Sequence, residues 1–183
     1  MITGSGIGAG VNDSKLTGVT RWERSGSMSD VKPATRYQGA VIRGDHILLI
    51  KHREHESGRE YWVLPGGRRR TRETGEACVR REINEETRLT VSVGRLLLDE
   101  GIASGFYKRY RTYLCEVVSG EAEPGFEPEA DATWYDIVEV RWFDLRRSYE
   151  WEDGLTDNPV TFPLLLRIRA VLGYTEVSAE ATE

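Results

Sequence analysis

The chain has 183 residues, and its 25 Lys and Arg against 30 Asp and Glu give a formal charge of −5. That balance argues against a general nucleic-acid binder, and the length suits one compact domain with tails. The longest apolar runs are short, such as residues 47–50, against the ~20 needed to cross a bilayer. The opening Met1-Ile2-Thr3-Gly4 lacks the basic and apolar regions of a secretory signal, so the expected compartment is the cytoplasm. Cys78 and Cys115 have neither Cys-x-x-Cys spacing nor a partnering His and read as small buried hydrophobes, not as a zinc site or a disulfide framework.

Residues 1–35 are rich in Gly, Ser, Thr and Asp, and their few apolar residues follow neither a helical nor a strand period, which predicts a flexible tail. Met28, directly before Ser29 and Asp30, is a second candidate start within it. Order is expected from Arg36, where two apolar runs flank Gly44-Asp45 as in a β-hairpin. Residues 61–64 form a short strand stopped by Pro65-Gly66-Gly67. The clearest helix spans residues 75–87, with good helix formers, no Pro, no internal Gly, and Val79 and Ile83 one turn apart.

Residues 91–98 and 107–118 read as strands, the second long enough to be bent or bulged. The acid-rich, Gly- and Pro-containing stretch 119–133 is a loop, and residues 137–143 return as a strand. A polar stretch precedes a helix over 159–172, apolar at Leu164, Leu165, Ile168, Val171 and Leu172 and ended by Gly173, and an acidic tail occupies 174–183. Strands mixed with two substantial helices predict an α/β or α+β layered domain over 36–173.

The first helix carries the chemistry. At about 100° per residue, Glu85 lies near 300° and Glu86 near 40° from Glu82, so three carboxylates share one face beside the apolar stripe of Val79 and Ile83. Their mutual repulsion worsens with burial and calls for a cation. Arginine is one candidate, since Arg81 is four residues before Glu85 and Arg80 and Arg88 are near. The other is a divalent metal, for which an all-oxygen carboxylate set points to Mg²⁺ or Mn²⁺ and a phosphate-bearing substrate.

The wider spacing decides how the helix is read: Gly67, five residues, Glu73, seven residues, then Arg81-Glu82-Ile83-Asn84-Glu85-Glu86-Thr87-Arg88-Leu89. This resembles the Nudix box, G-x5-E-x7-R-E-U-x-E-E-x-G-U with U aliphatic, at every defined position except Arg88, where the family has Gly. The preceding Trp62-Val63-Leu64-Pro65-Gly66-Gly67, the hairpin before it and Glu139-Val140-Arg141-Trp142-Phe143 after it also resemble the family's usual strands. The resemblance implies a Nudix-like α/β/α sandwich with a mixed β-sheet and a catalytic loop-helix-loop.

It further implies a Mg²⁺-dependent enzyme, with Mn²⁺ an alternative, that cuts the pyrophosphate bond of a nucleoside diphosphate linked to another group. By position, Glu82 and Glu86 match the family's metal ligands, Glu85 is a further ligand or the base for the attacking water, and the Gly66 carbonyl completes the metal shell. Arg81 and Glu73 resemble the pair that braces the helix. Glu139, or Glu127, Glu129 or Asp131, would supply the base if it lies outside the box. Arg68, Arg69, Arg70 and Arg72 read either as phosphate-binding donors or as a solvated charge run. Tyr107, Tyr110, Trp62 and Phe106 are candidates to stack on a base, against ordinary packing.

Tyr107, 18 residues after Leu89, falls where dinucleoside polyphosphate hydrolases of the family carry a Tyr, while Ala103 stands where ADP-ribose pyrophosphatases have a proline. Nucleoside triphosphates, dinucleoside polyphosphates and nucleotide sugars stay open as small-molecule substrates. The alternative is a catalytically silent nucleotide-binding sensor or regulator. Homodimers are common in the family, although no heptad or exposed apolar helix in the sequence points to one.

Overall fold

The computed structural model describes residues 34–101, 107–125 and 134–174. Strand β1 (Ala34–Arg43) and strand β2 (His46–Glu54) meet through the two-residue Gly44-Asp45 turn, with Arg43 opposite His46 and Ile42 opposite Ile47. Beyond that hairpin each takes different neighbours. β2 pairs antiparallel with β3 (Glu60–Val63) on one side and β7 (Tyr135–Asp144) on the other. β1 receives the three-residue β4 (Gly66–Arg68) on one side. On its other side β1 runs parallel to β6 (Tyr107–Ser119), which β5 (Thr90–Gly101) flanks antiparallel. The result is a seven-stranded mixed sheet ordered β3-β2-β1-β6-β5, with β4 added to β1 and β7 to β2.

Because successive strand residues point to opposite faces, β1 and β2 feed two separate cores. Ala40, Ile42, Ile47 and Leu49 pack with Trp62, Phe143 and the buried residues of α2 (Asp153–Thr156) and α3 (Thr161–Leu172). Val41 and Leu48 pack with Val79 and Ile83 of α1 (Gly75–Thr87), together with Leu89, Val91, Tyr113 and Cys115. Helices therefore cover both faces, the layered sandwich that the resemblance implies.

Helix α1 has the predicted limits. Thr74 caps its start by accepting the Ala77 N–H at 3.1 Å, and Arg88 closes it in a left-handed turn, φ 64°. The bulging expected of residues 107–118 appears in β6, where Lys108 is passed over in the pairing with β1 and Val118 in the pairing with β5, and β5 carries further register shifts near Leu96 and Leu98.

Four expectations need correction. Ala34 and Thr35, placed in the predicted tail, belong to β1, because Ala34 already pairs with Tyr107. The chain does not merely stop at Pro65-Gly66-Gly67: Gly66, Gly67 and Arg68 pair with Gln38, Tyr37 and Arg36, a strand created by its partner rather than by its own propensity. The last helix begins at Thr161 instead of residue 159, because the Asn158 side chain accepts the N–H groups of Val160 and Thr161 at 3.0 and 2.8 Å, and α2 occupies part of the polar stretch before it. Tyr174 is no part of a frayed tail, since its hydroxyl donates to Asp45 Oδ1 at 3.0 Å. The rest of both predicted tails, residues 1–33 and 175–183, lies outside the described residues. Among the described residues no helix is long and apolar enough to cross a membrane.

Candidate active site

The site grows from the contact between α1 and β4. Pairing of β4 with β1 lays Gly66 and Gly67 across the face of α1 that carries Glu82 and Glu86. The Gly66 N–H donates to Glu86 Oε2 at 2.7 Å. A Cβ on Gly67 would sit 2.4 Å from Glu82 Oε1, so the absent side chain is the space that the carboxylate occupies. Both carboxylates are buried, Glu82 1% and Glu86 0% exposed.

Arg81 gathers the box acids. Its guanidinium grips Glu73 in a bidentate pair, Nε to Oε1 at 2.9 Å and Nη2 to Oε2 at 3.1 Å. Its Nη1 lies 2.9 Å from both Glu82 Oε1 and Glu85 Oε2, and Nη2 donates to the Arg68 carbonyl at 3.0 Å. Burial alone would weaken the charge on Arg81, but the bond to Glu73 and the field of Glu82 reverse that and raise its pKa. The same pair holds the Glu73 carboxyl below its ordinary value. The pair ties the loop before α1 to its middle.

Glu85 shares the Arg81 guanidinium with Glu82 and also meets Arg70, whose Nη2 lies 3.3 Å from Glu85 Oε1. Arg68 and Arg70 are exposed, and Arg69 lies over the Tyr37 ring with its guanidinium carbon 5.8 Å from the centroid. Among the described residues no three His, Cys, Asp or Glu side chains are gathered at chelating distance. The chemistry of the donor set still fits a hard divalent cation: two buried carboxylates one turn apart, beside glycine backbone, with the Cys78 sulfur 4.0 Å from Glu82 Oε1. Burial pushes the neighbouring Cys78 thiol up to about 12, and burial pushes Cys115 to about 12 as well.

The structure does not bring Glu139 to this cluster. Its partners are Lys51, at 3.1 Å, and Arg141, within a network that also takes in Glu152. Glu127, Glu129, Asp131 and Phe106 lie outside the described residues. Trp62 is a core residue, 1% exposed and edge-on to Phe143. Tyr107 and Tyr110 instead line a cavity of about 490 Å³.

Sequence reasoning missed Arg36, which lines the same cavity. Its guanidinium donates to the Leu64 carbonyl at 3.1 Å and lies 5.6 Å from the Tyr107 ring centroid. Burial opposes its charge, but the fields of Tyr107 and Glu86 outweigh that and raise its pKa. Arg36 therefore links the cavity electrostatically to the acids of α1. Only the pairing of distant strands reveals it; nothing local in a Thr-Arg-Tyr stretch marks the residue.

The family model described as NUDIX domain matches residues 34–158. The chain is 33% identical over 101 residues to an NAD-capped RNA hydrolase NudC of Photobacterium profundum, a match covering 55% of this chain and 37% of that protein. It is 29% identical over 139 residues to an oxidized purine nucleoside triphosphate hydrolase of Danio rerio, covering 73% and 80%. The crystal structure of a MutT NUDIX hydrolase from Burkholderia pseudomallei superposes with a TM-score of 0.54 at 29% identity, covering 75% of this chain and 98% of that one. The chain spans about a third of the length of the first curated relatives that it matches.

Proposed function

The chain belongs to the NUDIX family, whose model covers residues 34–158, and on that premise we propose that it is a Mg²⁺-dependent pyrophosphohydrolase of nucleoside triphosphates or related nucleoside diphosphate derivatives. One observation carries the reading: Glu82 and Glu86 are buried on one face of α1 against Gly66 and Gly67, where burying two carboxylates is costly unless a cation offsets their charge. The relative acting on oxidized purine nucleoside triphosphates, of which this chain covers most of the length, supports a nucleoside triphosphate substrate.

Glu82 and Glu86 would hold the cation, with the Gly66 carbonyl beside them. When bound, Mg²⁺ neutralises phosphate charge and acidifies the attacking water. Glu85 accepts the proton as that water attacks phosphorus and the P–O–P bridge breaks, leaving two phosphate products. Arg81 holds Glu85 in place, and Glu73 holds Arg81. Arg68 and Arg70 neutralise the charge that builds on the departing phosphate.

Hydrolysis of a nucleotide panel in ¹⁸O-labelled water, with and without Mg²⁺, tests the proposal. Metal-dependent turnover with the label in a phosphate product is expected. Absence of turnover with every nucleotide, while nucleotides still raise the melting temperature, would replace the enzyme by a silent binding module.

A further inference from the structure

The loop between β4 and α1 is a run of exposed charge, with Arg68, Arg69, Arg70, Thr71 and Arg72 all on the surface. Glu73 folds it into a tight turn: its carboxylate accepts the Arg70 N–H at 2.8 Å, and its own N–H donates to the Arg70 carbonyl at 3.2 Å. Arg72 sits in the left-handed region at φ 66°, which is strained for any residue with a Cβ. Straightening the loop releases that strain, so the segment is poised to open into an extended chain.

Thr71 carries the one hydroxyl in this run, directly after three arginines and before a fourth. It is exposed, and its hydroxyl bonds to no described residue. Thr112 and Ser148 also follow arginines closely, but the fold withholds them. Thr112, after Arg109 and Arg111, is fully buried and accepts the Gln38 amide at 2.9 Å. Ser148, after Arg146 and Arg147, is half-buried and accepts Arg169 Nη1 at 2.7 Å. An enzyme that grips arginine side chains with carboxylates and acts on a hydroxyl beside them therefore reaches Thr71 in the folded chain and neither of the others.

We propose that Thr71 is the phosphorylation site of an arginine-directed protein kinase, and that the phosphate, held by the flanking arginines, draws Arg70 away from the active site. In the transfer, Thr71 Oγ attacks the γ-phosphorus of ATP; the Oγ–P bond forms as the bridge to the β-phosphate breaks, ADP leaves, and the hydroxyl proton passes to the kinase's catalytic carboxylate. The product brings about −1.5 to −2 charges and three acceptor oxygens into the arginine run. Arg70 now serves Glu85, with Nη2 3.3 Å from Oε1, and the phosphate outcompetes that carboxylate for it. The modification stands apart from the hydrolase reading. Its effect on turnover rests on that reading, in which Arg68 and Arg70 neutralise the departing phosphate.

The test is incubation of the folded full chain with ATP and a purified arginine-directed serine/threonine kinase, followed by tandem mass spectrometry. Phosphate is expected at Thr71, with Thr112 and Ser148 unmodified. Thr71→Val should take up none in the loop and keep the parental kcat and KM. The phosphorylated chain is expected to bind inorganic pyrophosphate roughly tenfold more weakly and to lose a similar factor in kcat/KM, at an unchanged melting temperature, and phosphatase treatment should restore both. Modification of Thr71 only after denaturation overturns the proposal, and so does a phosphate at Thr71 that leaves pyrophosphate binding unchanged. Weakened pyrophosphate binding after phosphorylation, in a chain that turns over no nucleotide in either form, would uphold it and overturn the hydrolase reading instead.

Discussion

Arg88 ends α1 at φ 64°, and its N–H donates to the Asn84 carbonyl at 3.0 Å. A residue with a Cβ is strained in that conformation and glycine is not. With Arg88 in place of the box glycine, the turn keeps the left-handed form and the strain is borne at one residue. Arg88→Gly is expected to stabilise the protein by up to about 1 kcal/mol, read as a higher urea midpoint at unchanged slope. A lower midpoint would contradict this.

His52 gives the second prediction at this scale. Its pKa is about 3 in the folded protein against 6.5 for the free side chain, because burial beside Arg36 opposes a second positive charge. On acidification the unfolded chain takes up the proton first, so this part of the stability is intact above about pH 6.5 and is lost as pH falls toward 3, by up to about 1.4 kcal/mol per pH unit. His52→Phe should flatten the fall in unfolding free energy between pH 6.5 and 4. An equal slope in parent and variant would contradict the assignment of a neutral buried imidazole.

Among the elements, α1 is held from two sides by backbone that comes close only where side chains are absent. A Cβ on Gly67 would strike the Glu82 carboxylate, so Gly67→Ala should move a proposed metal ligand while leaving the apolar contacts of α1 intact. The expected result is a fall in kcat on the order of 10–100-fold with a melting temperature close to the parent's, and unchanged turnover would deny Glu82 its role. Gly125 lies across the other end of the helix. Its N–H donates to the Glu86 carbonyl at 2.9 Å, and a Cβ there would sit 1.8 Å from the Glu85 carbonyl oxygen. Gly125→Ala should therefore cost about 1–3 kcal/mol of stability, measured by thermal unfolding.

These same elements show what the sequence makes legible. α1 could be read from end to end because good helix formers, the Val79–Ile83 spacing and the spaced acids all point to one helix. β4 could not, because a Gly-Gly-Arg segment has no strand propensity and is ordered only by its pairing with Arg36, Tyr37 and Gln38. The start of α3 was misplaced for a similar reason, since the Asn158 side chain, not the apolar period, sets it.

Across the whole molecule, the parting of β1 and β2 beyond their shared hairpin creates both features of the site. It gives β1 a free flank for β4, which lies over the acids of α1, and it opens the cavity between the two halves of the sheet. The box residues were legible because they sit within 23 positions of one another, from Gly67 to Leu89. Arg36, His52 and Tyr61 were not, because their shared wall exists only after distant strands pair. Glu139 shows the converse: its position in a strand resembling the family's made it a candidate base, yet Lys51 and Arg141 engage it instead.

The most direct measurement is kcat for Glu86→Gln against the parent on one nucleotide that the parent hydrolyses with Mg²⁺, with Glu139→Gln run beside it. The account predicts that Glu86→Gln, folded by thermal unfolding, loses more than the roughly 100-fold that removal of an outer-shell metal partner costs, while Glu139→Gln stays close to the parent. Near-parental turnover in Glu86→Gln would contradict it.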